Sequence, residues 1–179
     1  SGRERIDSRA DRYNGGGGGR ERDDGRPAPN GSLDPLVDEF KRTNGRSNVW
    51  ELSNILGHVM AFCQDQHGSR FIQLRLEVAS EEIKRSVFEE VAPRAAELMT
   101  DQFGNYVIQK LFEFGSPALC ATLSNLVTGL AVQLSTQVHG CRVIQKALEY
   151  ANHTQLVNLV SAFDGPQVID CINDQNGNH

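Results

Sequence analysis

The stretch from Gly104 to Glu113, GNYVIQKLFE, has close copies elsewhere in the 179-residue chain. Gly68-Ser69-Arg70-Phe71-Ile72-Gln73 comes before it, Gly140-Cys141-Arg142-Val143-Ile144-Gln145 after it, and a shorter Gly177-Asn178-His179 comes last. Successive glycines lie 36, 36 and 37 residues apart. Self-similarity at this period marks a helical solenoid, in which each unit buries its apolar face against the next.

The residue after each glycine is called i. At 100° per residue, i, i+4 and i+8 fall at about 0°, 40° and 80°, with i+1 at about 100°. In the second copy this sector holds Asn105, Gln109, Glu113 and Tyr106, whereas Val107, Ile108, Leu111, Phe112 and Phe114 fill the opposite arc. The third copy sets Cys141, Gln145, Glu149 and Arg142 against Val143, Ile144, Ala147, Leu148 and Tyr150. Each copy therefore reads as an amphipathic helix with a narrow outward stripe.

That stripe repeats a small or amide residue at i, a flat side chain at i+1 and glutamine at i+4. Arg70, Tyr106, Arg142 and His179 share planarity rather than charge or hydrophobicity. A row of flat groups suits stacking on nucleobases, worth about 1–3 kcal/mol per base. The glutamine amide both donates and accepts, which matches a base edge. At i, an asparagine amide can donate to uracil O2, while serine or cysteine leaves room for the C2 edge of adenine.

The set HGSRFIQ, FGNYVIQK, HGCRVIQKALE and DQNGNH resembles the Pumilio (PUF) family of single-stranded RNA-binding proteins, which read one base per helical repeat. The likeness runs from about Leu33 to His179. It implies an all-α, right-handed α-solenoid of ~36-residue three-helix repeats, an armadillo-like superhelix, truncated in this chain. In the family's code, Ser69 with Gln73 and Cys141 with Gln145 imply adenine, and Asn105 with Gln109 implies uracil. Asn178 would face a fourth base. With RNA antiparallel to the protein, the resemblance implies 5′-[U]AUA-3′ within a messenger 3′ untranslated region, post-transcriptional repression, a cytoplasmic location, and deadenylation or translation-repression proteins as partners. Family members carry more repeats, so an array stopping inside its fourth motif is expected to expose an apolar end and to bind RNA weakly.

Along the chain, residues 1–32 carry seven arginines, six acids and five consecutive glycines from Gly15 to Gly19, a composition expected to be disordered. Leu33, Leu36, Val37 and Phe40 keep helical spacing, Lys41–Asn48 reads as a loop, and residues 33–60 as a whole read as a capping half-repeat. Repeats are then expected over about 61–79, 80–115, 116–151 and 152–179. Between the motif helices, Pro93, Gly129 and Gly165-Pro166 should each split a longer helix in two.

The net charge of −5 disfavours a generally basic, nucleic-acid-coating surface. Yet five of the eight Lys or Arg beyond Ser47 (Arg70, Arg75, Lys110, Arg142, Lys146) lie in the motif helices, while acids gather at Glu81, Glu82, Glu89, Glu90 and Glu97. Glu77, Glu113 and Glu149 share the outward stripe and would repel phosphates, so the stripe should meet base edges. Cys63, Cys120, Cys141 and Cys171 have no metal-ligand spacing and, Cys141 apart, read as small core residues; His67 and His139 read as helix-start residues. No P-loop, nucleophile elbow or HExxH occurs, so no enzyme, cofactor, metal or small-molecule substrate is expected. No run approaches the ~20 apolar residues of a membrane span. The alternative from another class is a HEAT- or armadillo-like scaffold that binds protein.

Overall fold

The computed structural model describes residues 34–43, 50–163 and 165–178, and among them every regular element is helical. The tail over 1–32, Leu33 and His179 lie outside the described residues.

Helix α1 (Pro35–Arg42) starts at Asp34, whose carboxylate accepts the Leu36 N–H at 2.9 Å. Pro35 sits in the first turn, where its missing N–H costs nothing. The helix runs on through Lys41 and Arg42, which the sequence reading placed in a loop; cations are favoured in a last turn, where carbonyls are unsatisfied. After a 3₁₀ turn at Leu52–Ile55 come α2 (Val59–Cys63), α3 (Gln66–Leu76), α4 (Glu81–Val91), α5 (Ala95–Thr100) and α6 (Gly104–Phe114). They are followed by α7 (Pro117–Gly129), α8 (Ala131–Ser135), α9 (Gly140–Tyr150), α10 (His153–Ser161) and α11 (Gly165–Asn173). The motif copies are α3, α6 and α9, and they pack side by side in chain order.

The helices between them break where expected. Pro93 sits in a 3₁₀ turn at Ala92–Arg94, α7 stops at Gly129, and α11 begins at Gly165. Their starts are capped by side chains: Ser80, Ser116 and Asn152 accept the N–H groups of Ile83, Leu119 and Gln155 at 3.3, 3.4 and 3.0 Å. One continuous core runs through the described units, from Phe62, Ile72 and Leu76 through Leu98, Val107 and Ile108 to Leu134 and Val143.

The motif glycines have a packing cause. A Cβ on Gly68 would lie 2.5 Å from the Phe62 carbonyl oxygen, on Gly140 2.6 Å from that of Leu134, and on Gly177 2.6 Å from that of Cys171. On Gly104 it would lie 2.6 Å from Leu98 Cδ2. In every copy the obstacle is the residue six positions back, in or just before the turn that leads into the motif helix. Only a residue without a side chain lets the motif helix seat this closely on the preceding one.

The first repeat is covered by an aromatic cluster, with Phe40 at ring-centroid distances of 5.3 Å from Trp50, 5.3 Å from Phe62 and 5.0 Å from Phe71. Glu90, read from sequence as one of the acids gathered away from the motif helices, instead fastens this cover. Its carboxylate accepts the Gly57 N–H at 2.6 Å and the Val59 N–H at 3.2 Å, with Gly57 at a positive φ of 88°.

Two sequence expectations fail on packing grounds. Leu148 and Tyr150, placed on the apolar face of the third copy, are 41% and 42% exposed, because no described motif helix packs on the far side of α9. Cys120 is half-buried rather than core, with Sγ 3.3 Å from the Phe112 carbonyl oxygen. Cys63 and Cys171 are buried.

Candidate nucleic-acid interface

Three of the four copies are preceded by an aspartate cap that the sequence reading passed over. Asp65 accepts the N–H groups of His67 and Gly68 at 2.9 and 3.0 Å, Asp101 those of Phe103 and Gly104 at 2.8 and 2.6 Å, and Asp174 those of Asn176 and Gly177 at 2.7 and 3.0 Å. The signal was present as Asp-Gln-Xaa-Gly at Asp65, Asp101 and Asp174; Gln137 holds the place in the third copy. These caps fix where the first turn begins, and so where i and i+1 point.

Burial opposes ionisation of Asp65, but a hydrogen bond from Lys41 and the backbone N–H groups of Gly68 and His67 outweigh it and hold its carboxyl below the usual aspartate range. A depressed carboxylate stabilises the fold above its unfolded pKa and loses that contribution as pH falls through the folded value. Asp65→Asn should therefore lower stability at pH 7 and reduce the further loss below about pH 4. Urea unfolding at pH 7 and pH 3 checks this; equal acid sensitivity in both proteins would refute it.

Arg70, Tyr106 and Arg142 are all exposed, Tyr106 by 50%, on three neighbouring helices. The glutamines at i+4, Gln73, Gln109 and Gln145, are half-buried. Position i departs from the expected outward stripe: Ser69, Asn105 and Cys141 are buried, at 2%, 1% and 6% exposure. The close seating allowed by the neighbouring glycine pulls the first turn down, so i lies beneath i+1 and i+4 rather than beside them. Asn178 is exposed, with its N–H donating to the Asp174 carbonyl at 3.1 Å.

In the first two copies the buried residue at i is bonded to the glutamine above it. Asn105 Nδ2 donates to the Asp101 carbonyl at 2.7 Å, and Gln109 Nε2 donates to Asn105 Oδ1 at 2.9 Å. This fixes both amides and leaves Gln109 Oε1 and the second Asn105 N–H without a bond among the described residues. In the first copy Gln73 Nε2 reaches Ser69 Oγ at 3.4 Å, and in the third Arg142 Nη1 donates to Gln145 Oε1 at 3.2 Å. Asparagine or serine at i thus holds the glutamine above it, whereas over Cys141 the glutamine is held by Arg142 at i+1.

The glutamates on the stripe are mostly neutralised. Lys110 Nζ lies 2.7 Å from Glu113 and Lys146 Nζ 2.6 Å from Glu149, as their i,i+3 spacing suggested. Burial works to lower the Lys146 pKa, but the bond to Glu149 and its charge raise it instead. The same ammonium groups sit 4.9 and 5.5 Å from the ring centres of Phe114 and Tyr150. Among the described residues Arg70, Arg75 and Arg142 have no carboxylate partner, and Glu77 at the end of α3 has no cation. Among the described residues no cluster of His, Cys, Asp or Glu could hold a metal ion, and no helix is long and apolar enough to cross a membrane.

The sequence profile described as Pumilio-family RNA binding repeat matches residues 58–92, 94–128 and 131–162. Each matched segment opens with the short helix before a motif, so its phase differs from the expected repeats that opened with the long one. Pumilio homolog 4 of Arabidopsis thaliana is 51% identical over 65 residues, 36% of this chain and 6% of that protein. Pumilio homolog 2 of Xenopus laevis is 48% identical over 65 residues, 36% of this chain and 5% of that protein. Among solved structures, the Puf3 RNA binding domain bound to Cox17 RNA 3′ UTR recognition sequence site A is 46% identical, with a TM-score of 0.74 over 82% of this chain and 41% of that one. PUF-8 in complex with PBE-RNA is 38% identical, with a TM-score of 0.73 over 80% of this chain and 42% of that one. The chain thus spans less than half of these solved domains and about a twentieth of the curated relatives. With the repeat profile covering more than half of its residues and both solved structures sharing its fold, the chain belongs to the Pumilio (PUF) repeat family.

Proposed function

We propose that this chain is a single-stranded RNA-binding module in which α3, α6 and α9 each address one base. The observation that carries the reading is the row of exposed flat side chains, Arg70, Tyr106 and Arg142, each one turn from a glutamine held by a neighbouring side chain. A base between successive flat groups gains stacking on both faces, while the glutamine and residue i meet its edge. Ser69/Gln73, Asn105/Gln109 and Cys141/Gln145 then select adenine, uracil and adenine, with Asn178 and His179 facing a further base, giving 5′-[U]AUA-3′ antiparallel to the chain. Similar domains solved with messenger 3′ UTR RNA support this assignment. With it goes a proposed role in post-transcriptional repression of messages in the cytoplasm, with deadenylation or translation-repression proteins recruited to the bound RNA.

The deciding measurement is a titration of labelled UAUA-containing and scrambled oligonucleotides by fluorescence anisotropy. Tighter binding of UAUA is expected; equal affinity would favour a protein-binding scaffold. Tyr106→Ala should weaken binding about tenfold by removing one stacking surface, while its exposure leaves the urea midpoint unchanged. Wild-type affinity in that variant would remove the stacking row from the mechanism.

A further inference from the structure

Beside α3, on the side away from α6, lies a groove of about 750 Å³ bounded by α1. We propose that it takes one additional unpaired base of the RNA, the one immediately beyond the base read by Ser69 and Gln73; this rests on the RNA reading above.

The first copy of the motif departs from the other two at the two places that shape this groove. At i+2 the later copies have Val107 and Val143, wholly buried against the preceding motif helix. The first has Phe71, a larger residue that is only half-buried and lines the groove. At i+5 the later copies have Lys110 and Lys146, each paired with a glutamate. The first has Leu74, 60% exposed and also lining the groove. A charged position has thus become an apolar one in the copy that, among the described residues, has no earlier motif helix beside it.

Three further features fit a nucleotide. The groove is continuous with the row of flat side chains, because Arg70 belongs to both, and a guanidinium plane offers a second face for stacking. Gln66 and His67 line it with exposed side chains that make no hydrogen bond among the described residues, leaving donors and acceptors for a base edge. Arg70 at its rim suits a phosphate on the connecting backbone, while Lys41, also in the lining, is already paired with Asp65. The volume lies within the usual range for ligand sites and exceeds what a base alone needs, leaving room for its ribose. On the antiparallel reading the captured nucleotide lies 3′ of the terminal adenine of AUA.

The test compares 5′-UAUA-3′ with the same oligonucleotide carrying one 3′ adenosine or one 3′ abasic residue, so that the added phosphate is constant. The adenosine form should bind about tenfold tighter than the abasic form. The double substitution His67→Ala/Leu74→Ala should erase that difference while leaving the affinity for UAUA itself within about twofold. Both positions are exposed, and an unchanged urea midpoint verifies the fold. Equal binding of adenosine and abasic forms to the wild type overturns the groove assignment but leaves the reading of UAUA intact. So does a difference that survives in the double variant. Loss of discrimination between UAUA and scrambled RNA overturns both. Self-association that the double variant abolishes, with no effect of the 3′ base, assigns the groove to a second copy of the chain and equally overturns the proposal.

Discussion

Asn105→Ser is expected to move the preference of the second repeat from uracil to adenine, changing the ratio of affinities for AUA and AAA oligonucleotides by about 100-fold. The wild-type residue is buried, holds Gln109 through a 2.9 Å bond, and is itself anchored on the Asp101 carbonyl at 2.7 Å. Only one of its two N–H groups is used in this way, so the other can donate to uracil O2, and Gln109 Oε1 can accept from N3. Serine removes that donor and makes room for the adenine C2 edge. The protein already contains the product arrangement: in the first copy Gln73 Nε2 reaches Ser69 Oγ at 3.4 Å, a longer and looser tether. Discrimination between bases by well-placed amide pairs is worth about 1–3 kcal/mol per contact set, and the substitution both removes one preference and installs the other. The loss of the anchor to Asp101 should lower stability by about 1 kcal/mol without altering the fold. Paired titrations with AUA and AAA, on wild type and variant, read the effect. An unchanged ratio would mean that position i does not select the base.

Gly140→Ala should destabilise the domain by about 2–3 kcal/mol, more than Gly104→Ala at the equivalent place in the preceding repeat. The added methyl carbon at 140 would sit 2.6 Å from the Leu134 carbonyl oxygen and 2.9 Å from its Cα, both backbone atoms that move only if α8 and α9 separate. At 104 the nearest atom is Leu98 Cδ2 at 2.6 Å, a side-chain terminus that can change rotamer, with backbone no nearer than 3.2 Å. Separating α9 from α8 would also lift Cys141 out of its buried site, so the 140 variant should lose RNA affinity as well as stability. Urea denaturation of the two variants tests the ranking. Equal losses would show that the close approach in the structure is softer than its distances imply.

The Asp65 and Tyr106 substitutions described above separate two layers of the same design. One acts on the cap that positions a motif helix, the other on the surface that helix presents. An aspartate cap should be read in acid stability, and a stacking group only in RNA affinity.

Much of this was legible in the sequence because it depends on local regularities. The 36-residue interval of Gly68, Gly104 and Gly140 fixes a repeat, and the 3.6-residue spacing within each copy fixes a helix and its apolar face. The identity of i, i+1 and i+4 in each copy follows from the same alignment of the chain with itself, as does membership of the family. The breaks at Pro93, Gly129 and Gly165 are likewise written in residues that cannot continue a helix without cost.

Distances between helices are not written that way, and tertiary structure decided what depends on them. A helical wheel places Asn105 beside Tyr106 on an outward face, but the contact between α5 and α6 that Gly104 permits sinks Asn105 to 1% exposure. Glu90 looks like surface charge until the fold brings it to the N–H groups of Gly57 and Val59, more than thirty residues away in sequence. Phe71 and Leu74 look like ordinary apolar residues of a repeat until the fold sets them beside Phe40 and Lys41 of α1 as the walls of a groove. Periodicity is set by each residue and its nearest neighbours along the chain; burial, hydrogen-bond partners and cavities are set by whichever element comes to rest against it, and that is a property of the packed array.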